Sequence, residues 1–288
     1  MERLSHFKIV IDIGVLQKSS KNAIKISLVG ALILKSRKYK MNSIIDRIDQ
    51  LTAKISVYRP FTDENILKQI KSYYNIECAW SSNALEGNEY TLTETKILLE
   101  DGITAGGKSI RDALAIVGHE KAYNYMFSLR LNKYLSEDIL SMHRFFQGGL
   151  ENNSIAGSYR DIDVFITGSK YKVAKVKDIK NHVNKLIEKQ KELFEKFHPV
   201  IAAAKFHKEL AFIHPFSDGN GRIARLAMNC LLLQRDFLPI SIPLIRRSEY
   251  IAALEQAHIN DNKFVKIILE CELETQKDFY RLIEGSNV

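Results

Sequence analysis

The chain has 288 residues, of which 45% are hydrophobic, enough to bury a core in one large domain or two small ones. Its formal net charge is +8, but residues 1–40 hold nine Lys or Arg against two acidic residues, so the rest is nearly neutral. This distribution argues against a nucleic-acid-binding function for the main body. The three cysteines, Cys78, Cys230 and Cys271, are far apart, which argues against disulfides or zinc and predicts a reducing, cytoplasmic setting.

Residues 1–40 are predicted to form a basic N-terminal extension, to which the sequence assigns no role. The apolar run within it, residues 24–34, has 11 residues. A membrane-spanning helix needs about 20, and the small-residue cleavage site of a secretory signal is also missing. We therefore expect no membrane association.

From Met41 onward, apolar residues recur with helical spacing, which predicts an all-α fold in a single domain, residues 41–288. Local signals support several of these helices. Thr91 and Glu94 have the spacing of a capping box, and Gly102 follows the end of its segment. The predicted helices cover residues 42–57, 63–81, 92–100, 109–131, 136–147, 178–197, 200–213, 222–235, 248–258 and 262–283.

One segment departs from the helical pattern. Residues 163–173 alternate around Gly168-Ser169, which predicts a short β-hairpin. An isolated hairpin is only marginally stable, so we expect this one to have a functional reason.

The densest motif runs from His214 to Arg225 and reads His-Pro-Phe-Ser-Asp-Gly-Asn-Gly-Arg-Ile-Ala-Arg. It lies between two predicted helices, so it is a loop that leads into a helix N-terminus. Gly219 and Gly221, on either side of Asn220, allow backbone conformations that point several N–H groups into one concavity. Such a concavity favours phosphate.

Charged side chains accompany this predicted anion site. Arg222 and Arg225 are three positions apart on one helical face and can reach different phosphates. The carboxylate of Asp218 suits an Mg2+ ion placed between the protein and phosphate oxygens. The imidazole of His214 has the chemistry of a general base at neutral pH. A Walker A loop is excluded, because the motif has no lysine and follows no strand pattern.

The order His-x-Phe-x-Asp-Gly-Asn-Gly-Arg-x-x-Arg resembles the full signature of the Fic (Fic/Doc) family, with every defining position matched. The resemblance implies the helical Fic fold and transfer of AMP from ATP, with Mg2+, to a Tyr, Ser or Thr hydroxyl of a target protein. The chain itself is one candidate target. By the same resemblance His214 is the catalytic base and Asp218 the metal ligand. The implied nucleotide-binding residues are Gly219, Asn220, Gly221, Arg222 and Arg225.

The resemblance also gives the hairpin a role. In the Fic family a flap at this position, after an Ala-Gly-x-Tyr-Arg segment matched by residues 156–160, holds the target polypeptide as an added strand. The implied flap residues are Val164, Phe165, Ile166, Thr167 and Gly168. An ordinary connector is the other interpretation of this segment.

A second, shorter motif lies upstream. Ser82-Asn-Ala-Leu-Glu86-Gly87 is similar to the inhibitory Ser/Thr-x-x-x-Glu-Gly/Asn motif of one class of the family, and implies an inhibitory helix over about residues 78–87. A glutamate paired with Arg225 would occupy the place that the γ-phosphate needs. The predicted function is therefore a protein adenylyltransferase that Glu86 autoinhibits, with Ser82 and Gly87 as the other fixed positions of the motif.

Three alternatives stay open at the level of the sequence. The donor can be another nucleotide or a phosphocholine-like compound, since the motif does not read the purine. The reaction can run in reverse and remove AMP from a modified protein. The chain can also be a non-enzymatic nucleotide- or nucleic-acid-binding regulator, although an intact His214 argues against a dead enzyme.

Overall fold

The structure is a computed structural model that describes residues 41–56, 64–150 and 155–285, and the basic extension 1–40 lies outside these ranges. Within them the regular secondary structure is helical, without strands, which confirms the all-α prediction. Among these residues no helix is both long and apolar enough to cross a bilayer. The helices are α1 (41–56), α2 (Glu64–Ala84), α3 (Leu92–Asp101), α4 (Ile110–Ser128), α5 (Ser136–Gln147), α6 (Ile179–Glu188), α7 (Gln190–Lys196), α8 (Pro199–Ile213), α9 (Asn220–Leu233), α10 (Arg247–Gln256) and α11 (Asn262–Gly285).

Helix α9 lies in the centre of the core. All of its residues from Ile223 to Leu232 are buried, and a helix covered on every side requires neighbours all round. Helix α8 packs along it, and α4, α5 and α2 also contact it. Because α9 begins with the two arginines of the dense motif, the core fixes the position of that motif.

Helices α4 and α5 approach each other very closely. A Cβ at Gly118 of α4 would clash with the backbone carbonyl of Phe146 in α5. Only glycine allows this distance, since backbone cannot move aside as a side-chain tip can. The close approach places α5, with His143 and Phe146, beneath the loop that follows α8.

The helix boundaries agree with the sequence patterns within a few residues, and local chemistry explains the ends. Thr91 and Glu94 form the predicted capping box, and Gly102 ends α3 in the left-handed conformation with φ 71°. The segment predicted as one helix over 178–197 is two, because the chain breaks at Lys189 between α6 and α7.

The predicted hairpin at 163–173 is present only as a turn. The backbone reverses at Thr167 and Gly168, where Gly168 has φ 83° and the Ser169 N–H donates to Ile166 O at 3.1 Å. The two limbs do not form a β-ladder. Polar groups of the segment bond instead to other parts of the chain, among them Glu255 of α10. We call this segment, residues 161–175, the flap.

The α4–α5 contact gives a first testable prediction. Gly118→Ala should lower the free energy of unfolding by about 3 kcal/mol, because the added methyl group meets backbone that cannot yield. Urea unfolding of the purified protein measures the change.

Gly106→Ala is the matched control, since a Cβ at Gly106 meets no atom within 4 Å. Equal stabilities of the two variants would contradict the close packing of α4 on α5.

Candidate active site

The end of α8 positions His214. Its backbone is left-handed, with φ 52° and ψ 60°, and its N–H donates to Leu210 O at 3.2 Å. A non-glycine residue in this conformation is uncommon and turns the chain sharply out of the helix. Burial lowers the pKa of the half-buried imidazole and the Arg160 guanidinium adds to this effect, outweighing a hydrogen bond to Ala211 that raises it. The ring is therefore neutral at pH 7 and able to accept a proton.

A closed hydrogen-bonded ring shapes the loop after His214. The Asn220 side chain accepts from the Phe216 N–H and donates to the Phe216 carbonyl, both at 2.8 Å. The fully buried Phe216 ring stacks on His143 with centroids 3.8 Å apart. His143 in turn accepts from the Gly157 N–H at 3.1 Å, and its other nitrogen contacts Asp218 O at 3.2 Å. The loop thus has a preset shape before any ligand arrives.

Helix α9 starts with an open N-terminus. Its N-cap, Gly219, has φ 80° and supplies no side chain, so no side-chain cap accepts from the first amides. A Cβ at Gly219 would lie 2.9 Å from the Phe146 ring, so both the conformation and the space demand glycine. Free amides and the helix dipole make this end an anion site.

Asp218 and Arg222 form an ion pair at the edge of this site. The Asp218 carboxylate accepts from the Gly219 N–H at 2.6 Å and from Arg222 at 2.9 Å. The guanidinium of Arg222 lies over the Phe146 ring, 4.4 Å from its centroid, and also donates to the Asn83 side chain at 3.4 Å. A cavity of about 290 Å³ opens beside the pair and is bordered by Asp218, Arg222 and Glu86.

The second motif arginine, Arg225, is 5% exposed and is held by the C-terminal end of α2. It donates to the Ser82 hydroxyl at 2.8 Å, to the Ser82 carbonyl at 2.9 Å and to Glu86 Oε1 at 2.7 Å. On its far side it reaches the Tyr250 hydroxyl at 3.5 Å, which lies 2.9 Å from His207 Nε2. The two motifs, 139 positions apart, are therefore in direct contact.

The carboxylate of Glu86 lies against the backbone of Gly221, at the start of α9. A Cβ at Gly221 would overlap Glu86 Oε1 and come within 3.1 Å of the Arg225 guanidinium. The Glu86 carboxylate thus occupies the space that a side chain at position 221 would fill. Burial raises the pKa of Glu86, but the Arg225 and Arg222 guanidiniums outweigh it and the net pKa is below the ordinary value. The group is ionised at neutral pH, an anion at a helix N-terminus.

Arg160 connects the flap to the loop. Its side-chain Nε donates to the His214 carbonyl at 2.9 Å, and its backbone N–H donates to the Pro215 carbonyl at 3.0 Å. The same guanidinium donates to Ile162 O at 2.8 Å and to Ala174 O, one at each end of the flap. Arg160 is buried, so a planar, fully charged group fixes three carbonyls in one geometry.

The tip of the flap is held by α10. The Glu255 carboxylate accepts from the Ser169 hydroxyl and from the Lys170 N–H, both at 2.9 Å. Next to it, the Tyr171 ring stacks on His258 at 3.8 Å. The outer limb remains open, since Phe165 is 87% exposed.

The structure brings most of the predicted site residues together. Asp218 and Arg222 border the same cavity as Glu86 and Gly87, and Arg225 contacts Ser82 and Glu86. His214 does not line this cavity and lies at the end of α8, where the loop to Asp218 begins. Their roles stay predictions. The predicted flap residue Val164 is half-buried, and Phe165, Ile166, Thr167 and Gly168 are exposed.

Sequence reasoning missed four residues of the site: His143, Asn83, Tyr250 and Glu255. His143 lies 75 positions from its partner Asp218, Asn83 lies 139 from Arg222, and Glu255 lies 86 from Ser169. No local spacing marks such residues, because they act through tertiary contacts.

The fold and the site together describe an all-helical domain in which a preset loop leads into an open helix N-terminus that favours anions. Residues 133–232 match the model of the Fic/DOC family. The chain thus contains a Fic/DOC domain.

The relatives and solved structures agree with this assignment. The chain is 32% identical to "Protein adenylyltransferase Fic" of Nematostella vectensis over 81% of its own length and 54% of the relative. It is 30% identical to "Protein adenylyltransferase fic-1" of Caenorhabditis elegans, over 83% and 48%. The chain thus spans about half the length of the curated relatives that it matches.

Two solved structures share the fold. Fic-1 from C. elegans superposes with a TM-score of 0.78 at 23% identity, covering 93% of this chain and 79% of that one. A Fic domain containing signaling protein from Bacteroides thetaiotaomicron has a TM-score of 0.74 at 26% identity and covers 83% and 98%.

The hydrogen bonds that Glu255 accepts from the flap give a second prediction. Glu255→Ala should remove the acceptor of the Lys170 amide, so that this amide exchanges with solvent about tenfold faster or more. Hydrogen exchange followed by mass spectrometry measures the rate, and Glu255→Gln should retain much of the protection because its carbonyl oxygen still accepts.

Glu249→Ala is the matched control on the same helix, since Glu249 pairs with Arg246 and not with the flap. An unchanged Lys170 exchange rate in Glu255→Ala would contradict the contact.

Buried histidines around the site give a third prediction, on pH. Burial lowers the pKa of His119 and His207 to about 3, with Arg225 adding to it, and lowers that of His143 to about 4. Unfolded histidines titrate near about 6.5. Between that pH and about 4 the unfolded state binds protons that the folded state does not, so the free energy of unfolding should fall as pH falls.

Each such histidine contributes up to about 1.4 kcal/mol per pH unit to this slope. The slope from urea unfolding should therefore be shallower in His119→Gln and in His207→Gln than in wild type. Slopes equal to that of wild type in both variants would show that these rings do not stay neutral in the folded protein.

Proposed function

We propose that this protein is a protein adenylyltransferase, which transfers AMP from ATP to a Tyr, Ser or Thr hydroxyl of a protein target and is autoinhibited by Glu86. The observation that carries the proposal is the ionised Glu86 carboxylate on Arg225, against Gly221 at the open N-terminus of α9. An anion of this chain already fills a site built for anions. The relatives' names, both protein adenylyltransferases, support the reaction class.

His214 serves as the general base. The target hydroxyl oxygen attacks the α-phosphorus of ATP, the new P–O bond forms, and the bond to pyrophosphate breaks. The hydroxyl proton passes to the imidazole, whose lowered pKa leaves it neutral and ready to accept. The left-handed backbone at His214 and the Arg160 hydrogen bond to its carbonyl fix the ring's position.

The phosphates lie at the start of α9. The amides around Gly219, Asn220 and Gly221 donate to phosphate oxygens, and the Arg222 guanidinium adds charge-assisted hydrogen bonds. The side-chain amide of Asn220 is used within the loop on Phe216, so its contribution to phosphate comes from its backbone N–H. Because the loop is held by Phe216 and His143, these donors need little reorganisation.

Asp218 suits the metal of such a reaction. Among the described residues no cluster of three or more His, Cys, Asp or Glu could enclose an ion, and Mg2+ is usually held by one or two carboxylates together with substrate phosphates. The donor set therefore fits an ion that arrives with ATP. When bound, Mg2+ neutralises charge on the phosphates, and Asp218 is the residue that would hold it.

Inhibition follows from shared space and shared charge. The γ-phosphate and the Glu86 carboxylate are both anions, and both would bind the Arg225 guanidinium, so they compete for it. While Glu86 holds Arg225 at 2.7 Å, ATP cannot place its γ-phosphate there, and its α-phosphorus is out of line for attack.

The flap supplies the place for the target. The limb of the flap before Gly168 carries the exposed Phe165 and Ile166. Through Arg160, the flap is hydrogen-bonded to the backbone of His214, the proposed base. An extended target segment can pair with this limb by β-augmentation. All three cysteines are free and buried, which supports a reducing, cytoplasmic setting for the reaction.

The fourth prediction tests the proposal directly. Glu86→Gly should raise AMP transfer to the protein itself and to lysate proteins by about tenfold or more, a factor that ~1.4 kcal/mol of activation free energy supplies. The reason is that Arg225 becomes available for the γ-phosphate. Incubation with labelled ATP and Mg2+, followed by mass spectrometry for added AMP, is the measurement.

Two variants control this experiment. Glu89→Gly removes an exposed carboxylate three positions further along and should leave transfer at the wild-type level. Glu86→Gly combined with His214→Ala should lose transfer while still binding ATP, because the imidazole moves a proton and does not hold phosphate. A Glu86→Gly protein no more active than wild type at saturating ATP would falsify inhibition by Glu86.

A further inference from the structure

A groove of about 700 Å³ lies between the flap and helices α6 and α8. Its floor is apolar, with Leu186 of α6 and Phe212 and Ile213 at the end of α8. Its rim carries three lysines: Lys172 of the flap, Lys185 of α6, and Lys189 at the break that follows α6. These six residues define what we call the lysine groove.

The charge of the lysine groove is unbalanced. Residues 170–196 contain nine lysines and four acidic residues, although residues 41–288 as a whole are nearly neutral. The rim residues Lys172, Lys185 and Lys189 are exposed and have no ion-pair partner among the described residues. Exposed cations without partners are available to a ligand at little desolvation cost.

Two lysines of α8, by contrast, form ion pairs with an acidic residue. Lys205 and Lys208 both reach Asp261, at 2.7 and 3.1 Å. The two acidic residues that line the groove are engaged as well, since Glu192 accepts from Lys196 at 2.5 Å and Glu209 contacts Lys208 at 3.0 Å. The groove thus combines free positive charge with neutralised negative charge.

The groove is connected to the His214 loop through the backbone and through Arg160. Ile213 on its floor directly precedes His214, and Ala174 on its wall is bonded to Arg160, which also holds the His214 carbonyl. An extended polypeptide advances about 3.3 Å per residue. Residues a few positions from a hydroxyl at His214 can therefore reach the groove.

We infer that the lysine groove binds an acidic segment of the protein target, with carboxylates on the lysine rim and an apolar side chain on the Leu186–Phe212 floor. This inference rests on the proposed function and adds to it the class of substrate: hydroxyls flanked by acidic and apolar residues. Rim charges of this kind act mainly on encounter and selectivity.

Single-stranded nucleic acid is the competing occupant, and the aromatic residues argue against it. Such ligands are held by stacking bases on open aromatic faces. The Phe212 ring is already stacked on His258 at 3.5 Å, and His258 is stacked on Tyr171 at 3.8 Å. The groove therefore offers charge and an apolar floor, the combination that suits a peptide.

The test uses two 12-residue peptides with one central Tyr, one flanked by Asp, Glu and Leu and the other with Gln in place of each acid. With Glu86→Gly as the enzyme, kcat/KM for AMP transfer should favour the acidic peptide by about tenfold or more at low salt, and by less at high salt. The triple variant Lys172→Glu, Lys185→Glu, Lys189→Glu in the same background should abolish that preference.

A charge-matched control is Lys121→Glu, Lys133→Glu, Lys263→Glu, three exposed lysines outside the groove. It should keep the preference for the acidic peptide, and circular dichroism should show both triple variants folded. Equal kcat/KM for the two peptides, or a preference that survives in the groove variant, overturns the inference.

A binding experiment separates this inference from the proposed function. Fluorescence anisotropy of the fluorescein-labelled acidic peptide with the wild-type protein needs no catalysis, and the groove variant should bind it about tenfold more weakly or worse. If the peptide binds but Glu86→Gly transfers no AMP to anything, the proposed function fails. If a 12-nucleotide single strand binds more tightly than the acidic peptide, the inferred occupant is wrong.

Discussion

The buried charge of Arg225 is the constraint on which the arrangement of this protein depends. A guanidinium inside the core must be surrounded by acceptors, because an unpaired buried charge is very costly. Those acceptors come from two distant parts of the sequence. Ser82 and Glu86 come from the end of α2 and the turn that follows it, and Tyr250 comes from α10. Satisfying one arginine on the central helix therefore brings the N-terminal and C-terminal parts of the domain to the same point.

The same arrangement fills the anion site with a group of the protein itself. The Glu86 carboxylate lies at a helix N-terminus, where an anion is favoured, and in the space left by Gly221. Phe216, Asn220 and His143 hold the loop in shape from below. These contacts hold the α9 side of the site, and Glu86 reaches it from the short turn that follows α2.

Sequence patterns were sufficient for the elements whose cause is local. Helical periodicity predicted the helices, and the spacing of Thr91 and Glu94 predicted the capping box that forms. Twelve ordered positions from His214 predicted an anion site, whose role stays a prediction. The hairpin was predicted from alternation around Gly168, and the turn formed but the ladder did not. The polar groups of the flap bond to Arg160 and Glu255 instead of to each other, and no window of sequence contains those partners. His143 was missed for the same reason.

Arg160 shares one rigid plane between the two ends of the flap and the backbone of His214. Because the guanidinium is planar, a displacement of one of its hydrogen-bond partners disturbs its bonds to the others. The position of the flap is therefore coupled to that of His214 through Arg160. Thermodynamic linkage makes the coupling reciprocal. Under the proposed function, a target that shifts the flap would change the pose of His214, and a nucleotide that orders His214 would stiffen the flap by the same free energy. Binding of a polypeptide at the flap and the position of the proposed base would in this way be coupled through one side chain, Arg160.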